Sequence, residues 1–181
     1  VLFIADEIQT GLGRTGALLA CDHEGVKPDG LILGKALGGG LLPVSAFLAR
    51  EDVMNVFRPG DHGSTFGGYP LACAVALEAL DVLIEENLIQ RAAELGAHFY
   101  AALSAIRSPL VKEVRGRGLM IGMELDEKRV DPHAVVLRLM ERGILSKDTH
   151  DTVLRFTPPL VVEKAQLDWA VEQVRETLKE F

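Results

Sequence analysis

Cysteine is scarce in this chain. Cys21 and Cys73 are the only two, and they stand at neither a CxxC interval nor a zinc-ligand spacing. That excludes a disulfide scaffold and a structural zinc site, and both thiols read as reduced groups of a cytosolic protein. The five histidines show no ligand spacing either, and each reads as a surface or capping residue. Basic clusters are missing: the net charge is -7, the pI is near 5.2, and Lys and Arg are scattered. A nucleic-acid partner is therefore not expected. No signal peptide, internal repeat or low-complexity tract is visible. One apolar stretch, Leu31 to Ala49, is long enough to resemble a membrane span. Lys35, the triplet Gly38-Gly39-Gly40 and Pro43 interrupt it, and no anchoring flanks follow the membrane pattern. It reads as two buried strands around a loop, so no membrane partner is expected.

What remains is ordinary globular composition: 181 residues, 48% hydrophobic and 25% charged. That length suits one domain or one and a half. Val1 opens directly inside the apolar run Val1-Leu2-Phe3-Ile4-Ala5, without a preceding turn. So apolar a strand needs neighbours on both faces. The chain is therefore expected to be the C-terminal part of a longer protein.

The periodicity predicts a parallel strand over 1–5, a short helical segment over 18–23, and strands over 31–33 and 43–49. Helix is expected over 51–57, then two longer helices over 70–86 and 88–106, the first carrying the stripe Leu71, Val75, Leu77, Leu80 and Leu83. After Ser108-Pro109 the texture changes. Strands are expected over 111–114, 119–125, 144–146 and 153–156, with helices over 132–142 and 164–181. The change places a domain boundary near residue 107, giving domains 1–107 and 108–181.

Two apolar runs end in chemistry. Val1-Leu2-Phe3-Ile4-Ala5 stops at Asp6, and Leu31-Ile32-Leu33-Gly34 stops at Lys35. An open α/β sheet delivers reactive groups to its carboxyl edge in this way. One strand bringing an acid and the next an amine suits pyridoxal phosphate. That cofactor needs an amine for covalent anchoring and an acid to keep its ring nitrogen protonated. Alone, Asp6 would read as a cap or turn residue, and Lys35 as a lysine snorkelling from a strand end. If Lys35 is buried, its charge must be paired or neutralised, and covalent linkage does that. Glu7, next in chain and pointing the other way, is expected to be structural. The glycines after Lys35 are not a phosphate-binding P-loop, because the lysine precedes them. Ser64 and Thr65, in Gly63-Ser64-Thr65-Phe66-Gly67-Gly68 ahead of a helix, have hydroxyls suited to phosphate, although loop geometry alone would also explain the glycines.

The three segments Ile4-Ala5-Asp6-Glu7-Ile8-Gln9-Thr10-Gly11, Leu33-Gly34-Lys35-Ala36-Leu37-Gly38 and Gly63-Ser64-Thr65-Phe66-Gly67-Gly68 occur in the order and at the spacing of the class III aminotransferases. The resemblance runs through Arg155-Phe156-Thr157-Pro158-Pro159-Leu160 to the end of the chain. It implies an α/β, fold-type-I pyridoxal-phosphate transferase: part of a large-domain, mostly parallel sheet with helices, then a C-terminal α+β small domain, with the N-terminal portion absent. By that resemblance Lys35 is the Schiff-base lysine, and Asp6 pairs with the pyridine nitrogen. Gln9 lies near the ring hydroxyl, although a loop amide capping backbone groups explains it nearly as well. Thr65 reaches the cofactor phosphate of a neighbouring subunit, which implies a homodimer or higher oligomer with shared sites, and Ser64 beside it is a further cofactor-binding candidate. Family members usually carry Asn where this chain has Tyr69. Arg155 clamps a substrate carboxylate with its bidentate fork, the plain alternative being a surface arginine. Arg115 and Arg117 match as a structural turn.

Within the family, His62-Gly63-Ser64-Thr65 and the Lys147-Asp148-Thr149-His150 element look most like the ornithine-specific branch. Acetylornithine- and 4-aminobutyrate-specific members usually differ there. The implied reaction moves the δ-amino group of L-ornithine to 2-oxoglutarate, giving glutamate 5-semialdehyde and glutamate. A racemase, aminomutase or decarboxylase on the same scaffold would also keep Lys35 and Asp6. The expected location is cytoplasmic, or the mitochondrial matrix if a targeting segment preceded Val1. Lacking one wall of the cofactor pocket, the 181 residues alone are expected to turn over weakly or not at all.

Overall fold

The computed structural model describes all residues, 1–181, and divides into two compact units, Val1–Ile89 and Gln90–Phe181. No helix is long and apolar enough to cross a membrane.

The first unit holds a three-stranded sheet: β1 (Ile4–Asp6), β2 (Gly30–Leu33) and β3 (Ala46–Ala49), in that order. β1 runs parallel to β2, with Asp6 opposite Ile32, and β3 runs antiparallel to β2, with Ala46 opposite Leu33. The apolar stretch 31–49 is thus two strands around a glycine turn, as expected, but within this chain they are not buried: β2 is mostly half-buried, and Phe47 and Leu48 of β3 are exposed. The predicted first strand is shorter than 1–5. Phe3 leaves the ladder because its N–H donates to Asp29 Oδ2 at 2.8 Å, and its carbonyl accepts from the N–H groups of Asp29 and Gly30. Nor is this run buried: within this chain β1 is an edge strand, and Leu2, Phe3 and Ile4 are each at least half exposed.

A one-turn helix α1 (Glu51–Met54) follows, then the long α2 (Pro70–Glu85). Pro70 sits at the helix start, where its missing N–H is no loss. α2 packs on the 3-10 turn Lys35–Gly38. Gly39, at φ 58°, closes that turn, and a Cβ there would stand 3.3 Å from Ala79 Cβ, so the glycine lets helix and turn approach.

α3 (Leu88–Ser104) bridges into the second unit. That unit contains a four-stranded antiparallel sheet of β4 (Val111–Arg117), β5 (Met120–Leu125), β6 (Lys147–Thr149) and β7 (Val153–Phe156), in the order β4-β5-β7-β6. α4 (Pro132–Glu141) and α5 (Lys164–Leu178) complete it. Strand alternation sorts β5 cleanly: Ile121, Met123 and Leu125 are buried, while Met120, Gly122 and Glu124 are not. The buried set packs with Phe99, Leu103, Val135, Leu139, Leu154, Leu167 and Val174 into one core. Each such side chain contributes about 1.5–3 kcal/mol on burial. Gly96 is a required gap in α3: a Cβ there would lie 2.2 Å from the carbonyl carbon of Gly118.

The compact units divide at Ile89/Gln90, because α3 buries Ala92, Phe99 and Leu103 in the second unit's core. One expectation needs correction. The predicted strand 144–146 does not form. Gly143 N–H and Ile144 N–H still bond to Met140 and Leu139 carbonyls at the end of α4, Leu145 is 87% exposed, and pairing with β7 starts only at Lys147.

Candidate functional site

Asp6 is the last residue of β1, and Lys35 follows β2 after a single glycine. Because β1 and β2 are parallel and adjacent, both residues stand at one carboxyl edge. The structure therefore brings together the acid and the amine that the two apolar runs predicted. Asp6 is exposed at this edge, and its Oδ1 accepts the Ile8 N–H at 3.1 Å.

Lys35 has φ 45°, a left-handed backbone that a side chain with a Cβ rarely adopts. The turn is kept by Leu37 N–H to Gly34 O at 3.1 Å and Gly39 N–H to Ala36 O at 2.9 Å, with α2 behind it. A non-glycine residue held this way costs on the order of 1–3 kcal/mol, and such strain concentrates at functional positions. Within this chain Lys35 is exposed, while Leu37 and Gly38 of the same turn are buried; Leu41 just beyond it is exposed, at 77%.

Glu7 faces inward and is 3% exposed. Its Oε1 accepts the Cys21 N–H at 2.9 Å, its Oε2 accepts from Thr10 Oγ1, and its carbonyl accepts from the Gly11 N–H at 3.0 Å. Burial pushes the carboxyl pKa up, but hydrogen bonds from Thr10 and the Cys21 and Ala20 amides outweigh it and hold the group below its ordinary value. Glu7 thus ties the glycine-rich loop 11–16 to the sheet, the structural part expected of it. Gln9 sits half-buried in the turn that Glu7 organises.

Ser64 and Thr65 are exposed, in a turn held by backbone bonds from Gly67 N–H to Ser64 O at 3.3 Å and from Tyr69 N–H to Phe66 O at 3.2 Å. They do not cap a helix. The N-cap of α2 is Tyr69, and Pro70 after it carries no N–H.

Arg155 lies in β7 of the second unit, half-buried between the buried Leu154 and Phe156. Strand register aligns it across the sheet with Gly122 and Arg115 on one side and Lys147 on the other. Arg115 is tied to Glu124 at 2.6 Å and Glu113 at 3.3 Å. Arg155 carries no such ion pair or hydrogen bond. Sequence reasoning missed two features here: the left-handed backbone of Lys35, and the cationic row that includes Lys147. Only the alternation of β7, which sends Arg155 to the face opposite Leu154, pointed toward the second.

A pyridoxal-type group requires a free amine, an acid near it and a way to hold a phosphate. The amine of Lys35 is engaged with no partner in the chain, and Asp6 shares its edge. The first two requirements fit.

Comparison with known proteins agrees. A family model described as aminotransferase class-III matches residues 1–178. The curated ornithine aminotransferase of Bacillus subtilis is 57% identical over 179 residues, covering 99% of this chain and 44% of that protein. The one from Geobacillus is 57% identical over 176 residues, covering 97% and 44%. A solved Plasmodium falciparum ornithine delta-aminotransferase superposes with a TM-score of 0.97 at 50% identity, over 100% of this chain and 47% of that one. A solved acetylornithine aminotransferase from Elizabethkingia anophelis gives 0.93 at 48%, over 100% and 46%. The chain spans less than half the length of these relatives.

Proposed function

This chain belongs to the class III aminotransferases, and from that premise we propose that it supplies the lysine-bearing part of an ornithine δ-aminotransferase. Its fold is part of the fold-type-I pyridoxal-phosphate transferase architecture. In this reading the full enzyme moves the δ-amino group of L-ornithine to 2-oxoglutarate, forming glutamate 5-semialdehyde and glutamate. The observation that carries it is the shared carboxyl edge of β1 and β2, with Asp6 and Lys35 at their ends. The 57% identity to ornithine aminotransferases over 99% of the chain supports the choice of donor.

Lys35 would anchor pyridoxal phosphate covalently, and Asp6 would hold a proton at the ring nitrogen. When bound, that cofactor supplies an electron sink for the carbon losing its proton. The Lys35 side chain, when its amine is free, would be the base that carries the proton from the δ-carbon. Gln9 would donate near the ring hydroxyl. Ser64 and Thr65 would serve the phosphate of a second subunit, a role their exposed loop supports; Phe66 beside them is 79% exposed. Shared sites of that kind make the enzyme a homodimer or higher. Arg155 would take a substrate carboxylate in its planar fork. In this reading residues up to about 107 complete the large domain with its linking helices, and 108–181 form the small one. The 181 residues alone would lack turnover.

A second reading, acetylornithine as donor, is favoured by the Elizabethkingia structure. The separating experiment presents the full-length enzyme with L-ornithine, N-acetylornithine or 4-aminobutyrate without 2-oxoglutarate, and follows the cofactor absorbance. Rapid loss with ornithine alone is expected. Loss with N-acetylornithine instead would transfer the assignment to that donor. Loss with none of the three would overturn both readings.

A further inference from the structure

Glu7, 3% exposed, is the only charged side chain that the chain buries. Burying a carboxylate is costly unless its lone pairs are met. Here they are met: Oε1 accepts the Cys21 N–H at 2.9 Å, Oε2 accepts the Thr10 hydroxyl, and the Ala20 amide and Cys21 thiol also donate to the group. All of these partners lie within residues 10–21, so neither the burial nor the bonds wait on further chain. The backbone of Glu7 is equally committed. Its N–H donates to Ile32 O at 3.0 Å, which locks the end of β1 to β2 just before Lys35, and its carbonyl accepts the Gly11 N–H at 3.0 Å. The turn 7–11 closes so tightly that a Cβ on Gly11 would stand 2.8 Å from Glu7 O. Held inside that turn are Gln9 and Ile8, and the Ile8 N–H donates to Asp6 Oδ1 at 3.1 Å. Apolar packing could hold a loop to a sheet without the cost of a buried charge. A carboxylate adds direction: when ionised it only accepts, so it fixes donors from both ends of the loop at set positions.

We propose that Glu7 is a positioning residue for the cofactor: through the turn 7–11 it sets the carboxylate of Asp6 and the amide of Gln9, and it registers both against the strand that leads to Lys35. This rests on the reading of Asp6 and Gln9 as cofactor-facing groups. Glu7 acts through these neighbours, since its own carboxylate is turned into the loop. Loosening the turn by about 1 Å would carry the Ile8 N–H away from Asp6 and free that carboxylate to rotate. The competing account is that Glu7 contributes only to the stability of the first unit.

The test uses the full-length enzyme, with pyridoxal phosphate as the probe. Titration of the apoenzyme gives the cofactor Kd, and a pH series of the bound cofactor's absorbance reads the setting of the acid at its ring nitrogen. Glu7→Gln keeps the shape but turns one acceptor into a donor. It should raise the Kd roughly tenfold and displace the midpoint of the absorbance series. It should also lower kcat roughly tenfold to a hundredfold, with KM for the amino donor nearly unchanged. In an Asp6→Asn background the same substitution should change midpoint and kcat little further, because the group it positions is already lost. Val174→Ala, which opens a cavity in the second unit's core, supplies the comparison: it should lower the melting temperature with Kd and midpoint unchanged. Thr10→Val, which removes one donor, serves if Glu7→Gln does not fold, and should move the same readouts by less. Lost stability in Glu7→Gln with unchanged Kd, midpoint and kcat, while Asp6→Asn moves the midpoint, would overturn the proposal and leave the stability account. Full, additive losses in the Asp6→Asn background would overturn it as well. An unmoved midpoint in Asp6→Asn would instead overturn the reading of Asp6, and the proposal with it.

Discussion

The two units of this chain solve different problems. The second, Gln90–Phe181, has a core of its own: strand alternation sends one face of an antiparallel sheet into packing shared with α3, α4 and α5. The first, Val1–Ile89, carries the acid and the amine on a sheet of three short strands. It leaves Leu2, Phe3, Leu41, Phe66 and Leu77 exposed. The first also holds Lys35 in a strained backbone. Buried apolar packing is concentrated in one unit, and the acid–amine pair stands in the other. Strain at Lys35 persists because the surrounding turn, here backed by α2, over-determines it.

The largest effect that would break this comparison concerns Lys35. In the full-length enzyme, Lys35→Ala should lower turnover by about 10²–10⁴-fold or more; in the 181-residue chain, where the side chain is exposed and unpartnered, it should leave thermal melting nearly unchanged. Steady-state assays and melting curves check both halves. Next comes a paired substitution in the 181-residue chain. Leu154→Ala removes a side chain with 0% exposure and should cost about 2–5 kcal/mol. Leu77→Ala, at 65% exposure, should stay within about 0.5 kcal/mol. Urea titration separates them, and equal losses would erase the contrast between the units.

Smaller is the relief of strain. Lys35→Gly should leave the apo form as stable or raise its stability by about 1 kcal/mol, since glycine accepts positive φ freely. A clear loss in urea titration would mean the lysine stem packs where the structure leaves it exposed. Smallest is an acid effect in the first unit. Glu7 titrates below its ordinary value of 4.5 in the fold. A depressed carboxylate adds stability that is present above its unfolded pKa and lost as pH falls through its folded pKa. Glu7→Gln should therefore flatten the stability profile below about pH 4.5 while changing the acid slope of no other group. A pH series of melting temperatures reads it.

Much of this was legible in the residues. Apolar runs ending at Asp6 and Lys35 mark strand ends, because each run gives way to a charged residue just where its strand stops. The alternation in Met120–Leu125 and the helical stripes likewise follow from local periodicity. Three features were not legible, for physical reasons. Gly143 and Ile144 look like the start of a strand, but their N–H groups are consumed in ending α4. α3 looks like a linker, but what assigns it is burial of Phe99 and Leu103 against strands far along the chain. The facing of Lys147 and Arg155 depends on strand register, a non-local property that neither segment encodes by itself. The left-handed backbone of Lys35 is the hardest case, since local preference argues against it and only the tertiary setting enforces it.

The most direct test is to reduce the full-length, cofactor-loaded enzyme with borohydride and map the labelled peptide by mass spectrometry. A single pyridoxyl label on Lys35 is the predicted result. A label on any other lysine, or none, would contradict the assignment of the β1–β2 edge as the reactive site.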